Sequence, residues 1–459
     1  MPDSNAYDIV VLGGGSGGYA CAFRAAELGM RVALIEKDKL GGTCLHRGCI
    51  PTKALLHAAE IADQARDSEK FGIKARLEGI DMPAVHGYKD RVVTRLWKGL
   101  QGLARGHAID VIEGEGRLIS PTQVRVGDTV YEGAHIVLAT GSRAKSLPGL
   151  ELDGQRIITS DEALVLDRVP RSVVILGGGV IGVEFASVWR SFGAEVTIVE
   201  MLPHLVPTEE ESSSKLVERA FRRRGISYEL GVRFEGAKST EGGVTVALEG
   251  GKTLDTEILL VAVGRGPVSA DLGYEDVGVE LERGFVKVDS LCRTNVPTIS
   301  AIGDLIQTPQ LAHVGFGEGI MVAERLGGRG PVPIDYDGVP RVTYCEPEVA
   351  SVGITSAIAA ERGIETEEFT YDLAGNGRSQ ILQTQGAAKI ITTAGGGPVL
   401  GVHLVGSRVG ELIAEGQLIY NWEAVPADVA QLIHPHPTQS EAIGEAHLAL
   451  AGKPLHVHA

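Results

Sequence analysis

Residues 10–36 read VVLGGGSGGYACAFRAAELGMRVALIE, and residues 174–200 read VILGGGVIGVEFASVWRSFGAEVTIVE. The two stretches match at a constant offset of 164, with identities at Gly13/Gly177, Gly15/Gly179, Gly18/Gly182, Ala22/Ala186, Gly29/Gly193, Val32/Val196 and Glu36/Glu200. Each copy runs from an apolar strand through G-x-G-x-x-G into a helix of small residues, then through a glycine into a second strand ending on glutamate. In such a βαβ unit the first glycine permits the tight turn, the second lets backbone approach a pyrophosphate, and the third lets helix pack closely on strand. The helix N-terminus faces the phosphates. The terminal glutamate accepts hydrogen bonds from the ribose hydroxyls and repels a 2′-phosphate, so unphosphorylated ribose is favoured in both copies. One such motif is equally a glycine-rich turn. Two complete copies point to two dinucleotides, the pattern of an electron-transfer enzyme holding a flavin and a nicotinamide; a duplicated domain with one dead site is the alternative.

Three more apolar strands run into glycine, at 135–144, 258–267 and 298–306, and Asp304 in the last can accept a hydroxyl. SRAKSLPGLELDG at 142–154 and GGRGPVPIDYDGVP at 327–340 read as linkers. The expected domains are therefore 1–147, a first dinucleotide unit; 148–268, a second; 269–336, a central segment completing the first site; and 337–459. The last region lacks a dinucleotide motif, and TYCEPEVASVGIT, AAKIITT and LGVHLVG suggest strands beside helices in VGELIAEGQLIYNW and SEAIGEAHLALAG. Its expected role is assembly.

Composition narrows the partners. The 459-residue chain carries a net charge of −16, which argues against nucleic acid or an anionic membrane as partner. The N-terminus reads as a first strand rather than a signal peptide. The most hydrophobic stretch, 172–189, contains Glu184 and four glycines and makes a poor membrane span. A cytoplasmic location is expected.

Five cysteines in so long a chain do not make a disulfide scaffold. Two of them, Cys44 and Cys49, lie in GGTCLHRGCIPTK at 41–53, just after Glu36. They read as a redox pair, with half of a metal site and two inert buried thiols as the alternatives. On a regular helix their Cα atoms would stand about 8–9 Å apart, beyond the roughly 7 Å that a disulfide spans. A bridge here needs a distorted turn, for which Gly48 is suited, with Pro51 in the first turn of the helix that follows. Cys21, Cys292 and Cys345 read as small core residues.

GGTCLHRGCIPTK resembles the active-site segment of the flavin-dependent pyridine nucleotide-disulfide oxidoreductases, and HPHPTQSE at 434–441 resembles their His-Glu motif. With GGGVIGVE, VGRGP, LAH and PEVASVG in order, the likeness covers essentially the whole chain and is strongest to the lipoamide-oxidising branch. It implies an α/β fold of two Rossmann-like domains and a C-terminal α+β dimerisation domain, hence a homodimer. It further implies that Cys44 is the thiol that meets substrate, Cys49 the thiol beside the flavin, Lys53 and Glu184 a charge-balancing pair, and His436 the base oriented by Glu441. FAD would be lined by Gly13, Gly15, Gly18, Glu36, Lys37, Gly42, Thr43, Lys53, Gly116, Thr140, Gly141, Ser142, Gly303, Asp304, Ala312 and His313. NAD would be lined by Gly177, Gly179, Val180, Ile181, Gly182, Glu184, Glu200, Val232, Gly264 and Arg265. No metal is implied.

The implied reaction is oxidation of dihydrolipoamide by NAD through a Cys44–Cys49 disulfide and FAD. The lipoyl group would arrive on a partner protein of a 2-oxoacid dehydrogenase complex or a glycine cleavage system. Reduction of glutathione or another small disulfide by NAD(P)H is the alternative chemistry, and a dinucleotide-binding redox sensor the alternative outside enzymes. Glu200 is followed by Met201, Leu202, Pro203 and His204 rather than arginines, which favours NAD over NADP. His434 reads as structural. The chain departs from the family's commonest pattern at His46, Arg47, Cys345 and the stretch HVGFGEG at 313–319.

Overall fold

The computed structural model describes residues 5–457. The chain forms two compact units, each assembled from discontinuous segments: 1–54, 83–145 and 264–336 in the first, and 55–82, 146–263 and 337–459 in the second.

The first unit is built on a seven-stranded sheet. Strand β1 (Ala6–Leu12), helix α1 (Ser16–Glu27) and strand β2 (Val32–Glu36) are the first copy of the repeat. In order across the sheet stand β3 (Asp110–Glu113), β2, β1, β6 (Thr129–Leu138), β5 (Gln123–Val126) and β4 (Gly116–Ser120), with Ile299–Ala301 also pairing β6. The pairs around β1 are parallel, while β4, β5 and β6 pair antiparallel. Ile9, Val10, Val11 and Leu12 are all buried, as expected of a parallel strand covered on both faces. Helix α1 packs against helix Ala312–Leu326, and Gly17 and Gly319 let the two backbones meet.

The second unit contains a five-stranded sheet in the order Ile226–Leu230, Glu195–Glu200, Ser172–Leu176, Ile258–Val261, Ile157–Ile158, with every pair parallel. A three-stranded antiparallel meander spans 234–256. Residues 341–406 form a separate five-stranded antiparallel sheet, against which helices Val409–Asn421 and Glu441–Leu450 pack. The fold is therefore two Rossmann-like units with a C-terminal α+β region.

The repeat read from sequence recurs in the strand register. Ile9 pairs with Val32 and Leu12 with Ile35 in the first copy; Val173 pairs with Val196 and Leu176 with Val199 in the second. The stretch at 142–154 begins with more order than its composition suggests, because Ser142–Ala144 pairs antiparallel with Arg265–Pro267. Backbone pairing to a segment 120 or more residues away leaves no local signal.

The third motif glycine is fixed by contact. A Cβ on Gly182 would lie 1.9 Å from the Gly177 carbonyl oxygen, and one on Gly18 would lie 1.8 Å from that of Gly13. The neighbour in each case is backbone, which cannot swing aside. Gly182→Ala is expected to destabilise the protein by about 1–3 kcal/mol or more through overpacking, read as a lowered midpoint in denaturant; an unchanged midpoint would show that the helix can lift off its strand at no cost.

Candidate active site

The cysteine segment is anchored on the first glycine-rich turn. Helix α2 (Gly42–Arg47) carries Cys44, and helix α3 (Cys49–Asp67) opens on Cys49 with Pro51 in its first turn. Gly48, at φ −147° and ψ −112°, breaks the two helices apart. Its Cα lies so close that a Cβ would stand 3.5 Å from Cys44 Cα, so the chain folds back and returns Cys49 to Cys44. The Gly41 amide donates to the Gly14 carbonyl at 2.8 Å. A Cβ on Gly42 would sit 2.6 Å from Gly15 Cα. The residues between the cysteines are tied to the loop after β2: His46 Nε2 donates to the Leu40 carbonyl at 3.0 Å, and Arg47 pairs with Asp38.

Both cysteines are free thiols, partly buried and coupled to one another. The hydrogen bond between them and the burial of the site push the Cys44 thiol far above its ordinary value, opposed by the Lys53 ammonium. Tyr19 faces the pair: burial, with the Cys44 and Cys49 charges adding, pushes its phenol up to about 12. Cys21, Cys292 and Cys345 are at most 1% exposed, and burial raises each thiol. Among the described residues no group of three or more His, Cys, Asp or Glu is placed to hold a metal ion.

The two glutamates that close the repeat are locked in the same way. Glu36 accepts from the Gly14 amide at 2.7 Å and the Asp38 amide at 2.9 Å. Glu200 accepts from the Gly178 amide at 2.7 Å and the Leu202 amide at 2.8 Å. Each oxygen keeps a lone pair for a ribose hydroxyl. Helix α1 and helix Val180–Phe192, which opens on Val180 and Ile181, have no side-chain cap at Gly15 and Gly179. Their first amides are left for a ligand, and dinucleotide phosphates fit there. A Cβ on Gly15 or Gly179 would meet nothing within 4 Å, which is the space such a phosphate needs.

Around these turns the remaining expected residues fall into distinct settings. Lys37 pairs with Glu115 on the surface. Gly116 lies under Leu12 and Ile35, where a Cβ would stand 2.5 Å from Leu12 Cδ1, so its smallness serves sheet packing. Thr140 Oγ1 donates to the Val268 carbonyl at 2.6 Å. Gly141, Gly264 and Gly303 have positive φ, and Ala312 and His313 open helix Ala312–Leu326. Arg265, grouped by resemblance with the NAD residues, lies in the first unit: its Nε donates to Ser142 Oγ at 2.8 Å, and Ser142 Oγ donates to Asp304 Oδ2 at 2.5 Å. Val232 donates its amide to the Glu200 carbonyl. Glu184, 3% exposed, accepts from the Tyr344 amide at 3.0 Å.

Sequence reading missed Glu318. It is fully buried and accepts from the Gly303 amide at 2.6 Å, Thr308 Oγ1 at 2.7 Å and the Tyr336 hydroxyl at 3.0 Å. It therefore holds the turn that presents Asp304. The only local signal was a glutamate flanked by two glycines in HVGFGEG.

In the C-terminal region His436 Nδ1 donates to Glu441 Oε1 at 2.8 Å, and the other carboxylate oxygen accepts from the Thr438 amide at 2.8 Å. Burial pushes the Glu441 carboxyl up, but the Thr438 amide and the His436 ring outweigh it and hold it below its ordinary range. The bond at Nδ1 leaves Nε2 of His436 to take a proton. His434 donates through Nε2 to Glu415 Oε1 at 2.7 Å.

Gly179→Ala separates binding from folding. Since its Cβ meets no protein atom within 4 Å, the denaturation midpoint should stay at the wild-type value while the KM for the nicotinamide dinucleotide rises about tenfold, the scale of one lost charge-assisted contact. A variant that binds the dinucleotide as well as wild type would remove the phosphate from this turn.

Comparison with known proteins identifies the family. Residues 7–319 match the family model described as pyridine nucleotide-disulphide oxidoreductase, and residues 339–447 match the dimerisation domain of the same family. The chain is 39% identical to a dihydrolipoyl dehydrogenase of Bacillus subtilis over 98% of its own length and 99% of the relative. It is 38% identical to the mitochondrial dihydrolipoyl dehydrogenase of Pisum sativum, covering 99% and 93% of the two chains. Among solved structures, LpdA from Mycobacterium tuberculosis superposes with a TM-score of 0.90 at 27% identity, covering 96% of this chain and 99% of that one. The HOCl-induced flavoprotein disulfide reductase RclA from Escherichia coli superposes with a TM-score of 0.86 at 29% identity, covering 96% and 99%. The chain belongs to the pyridine nucleotide-disulphide oxidoreductase family.

Proposed function

We propose that this chain oxidises dihydrolipoamide to lipoamide with NAD⁺ as acceptor, through FAD and a Cys44–Cys49 redox disulfide. The observation that carries the reading is the thiol pair set on a dinucleotide turn, in a chain alike over its whole length to dihydrolipoyl dehydrogenases.

His436, its Nδ1 engaged by Glu441, takes a proton at Nε2 from one substrate thiol, because the thiolate and not the thiol is the nucleophile. That thiolate attacks Cys44 Sγ of the oxidised enzyme, forming a mixed disulfide as the Cys44–Cys49 bond breaks and Cys49 leaves as thiolate. The second substrate thiol, deprotonated in turn, displaces Cys44 and closes the lipoyl disulfide. Two electrons then rest on the cysteine pair, where Lys53 steadies the negative charge. When bound, FAD supplies the electron acceptor for the dithiol and NAD⁺ the final hydride acceptor.

Glu36, Thr43, Asp304 and the first glycine turn hold FAD in this reading, and Glu200 with the second turn holds NAD. The domain limits follow as 1–147, 148–268, 269–336 and 337–459. Residues 339–447 make the molecule a homodimer, in keeping with the family's dimerisation domain. No described helix is long and apolar enough to cross a membrane. The lipoyl group comes on a partner protein of a 2-oxoacid dehydrogenase complex or glycine cleavage system, in the cytoplasm.

A substrate panel tests this function: dihydrolipoamide with NAD⁺ should support turnover, and glutathione disulfide with NADPH should not. Cys44→Ser and Cys49→Ser should each abolish dihydrolipoamide oxidation while keeping bound FAD. The reverse preference in the panel points to a small-disulfide reductase, and a yellow protein inactive with every dithiol to a sensor.

The site is further proposed to be shared, with His436 of one subunit serving the cysteines of its partner. Mixing Cys44→Ser and His436→Gln proteins under verified subunit exchange makes hybrids with one intact site, so roughly a quarter of wild-type activity should return at equal amounts. Exchange without any recovered activity rules out sharing.

A further inference from the structure

His434 stands two residues before the proposed base, and the structure gives it a setting of its own. Its side chain is 12% exposed against 78% for His436, so the chain dips into the protein at His434 and comes out again at His436. Two elements grip the ring. From helix Val409–Asn421, Glu415 accepts its Nε2 proton at 2.7 Å. From helix Glu441–Leu450, Gly444 gives it a seat: a Cβ there would lie 2.5 Å from His434 Nδ1. That helix also carries Glu441, the partner of His436. The Glu415 hydrogen bond, against the cost of burial and with Glu415 and Glu441 both attracting it, raises His434 above its ordinary value. The neighbouring His447 on the same helix is held down to about 4 by burial, so it brings no competing charge at neutral pH.

Pro435 separates the two histidines. Its ring fixes one of the few torsions between them, and its carbonyl accepts from Thr438 Oγ1 at 2.7 Å. Thr438 in turn donates its amide to Glu441, while its carbonyl accepts from Asn376 Nδ2 at 2.8 Å. A ring fixed at His434 therefore determines where the chain emerges at His436, whereas among the described residues the exposed His436 ring is held by one hydrogen bond, to Glu441.

We propose that His434, clamped between Glu415 and the backbone at Gly444, is a positioning residue that keeps His436 and Glu441 in register for proton transfer. The proposal rests on His436 being the base in the reaction proposed above. Loss of the clamp leaves the base present but misplaced, which lowers turnover without weakening substrate binding.

The test compares His434→Leu, His434→Gln, Glu415→Gln and Gly444→Ala in the FAD-loaded dimer. Each is assayed for dihydrolipoamide oxidation by NAD⁺, with NADH oxidation by ferricyanide, which needs no thiol deprotonation, as the internal standard. His434→Leu and Gly444→Ala should lower kcat for dihydrolipoamide by about 10- to 100-fold, the scale of an ångström-level misplacement, with KM close to wild type and the ferricyanide rate retained. Glu415→Gln keeps the packing and should cost less. His434→Gln, whose amide can still donate to Glu415, should recover part of the loss. An active wild type with indifferent variants overturns the positioning role alone. Parallel loss of both activities also overturns it, since that is the signature of a merely structural residue. A wild type inactive with dihydrolipoamide overturns the underlying reading as well.

Discussion

Much of the first unit depends on one close approach, that of the backbone at Gly18 to the carbonyl oxygen of Gly13, where a side-chain carbon would have only 1.8 Å. At the start of the helix that this contact seats, Gly15 offers no side-chain cap, and a Cβ there would meet nothing within 4 Å. The cysteine segment is then laid on the same turn, through the Gly41 amide on the Gly14 carbonyl and Gly42 against Gly15. Phosphate site and redox pair therefore share one piece of backbone, and a shift in the turn moves both.

The second copy shows what the first has added. Past the glutamates the resemblance continues with one inserted residue: Leu40 closes over Gly14 and Leu205 over Gly178, and the Val206 amide bonds the Gly178 carbonyl as Gly41 bonds that of Gly14. There the copies part. The first continues into Gly42 and helix α2, whereas the second continues into Pro207 and reaches its next helix, Glu211–Arg224, only later. A proline lacks the compactness to rest on Gly179 as Gly42 rests on Gly15. From that point the first copy carries a thiol pair and the second does not.

What could be read from sequence was what is local or repeated. The strand register of both copies follows from the offset of 164, and the locking of Glu36 and Glu200 follows from their place at a strand end. Gly48 was legible as a break because two cysteines five apart demand one. Glu318, the grouping of Arg265 with Ser142 and Asp304, and the grip of Glu415 on His434 were not legible, because each joins residues whose relation only the tertiary fold creates. A buried carboxylate between glycines carries the same letters as a surface one, and only its three donors tell them apart.

The two halves of the proposed chemistry are controlled by opposite physical means. At the thiols, mutual hydrogen bonding and burial raise the cost of charge on Cys44, and the Lys53 ammonium opposes that cost. At His436 the ring is 78% exposed and its Nδ1 bonds Glu441. Such a ring can face an incoming substrate, but water screens the carboxylate that orients it. A proton transfer on a bound dithiol is favoured where that water is removed, and His436 lies within residues 339–447, which match the family's dimerisation domain. The proposed chemistry thus joins a partly buried thiol pair to an exposed base.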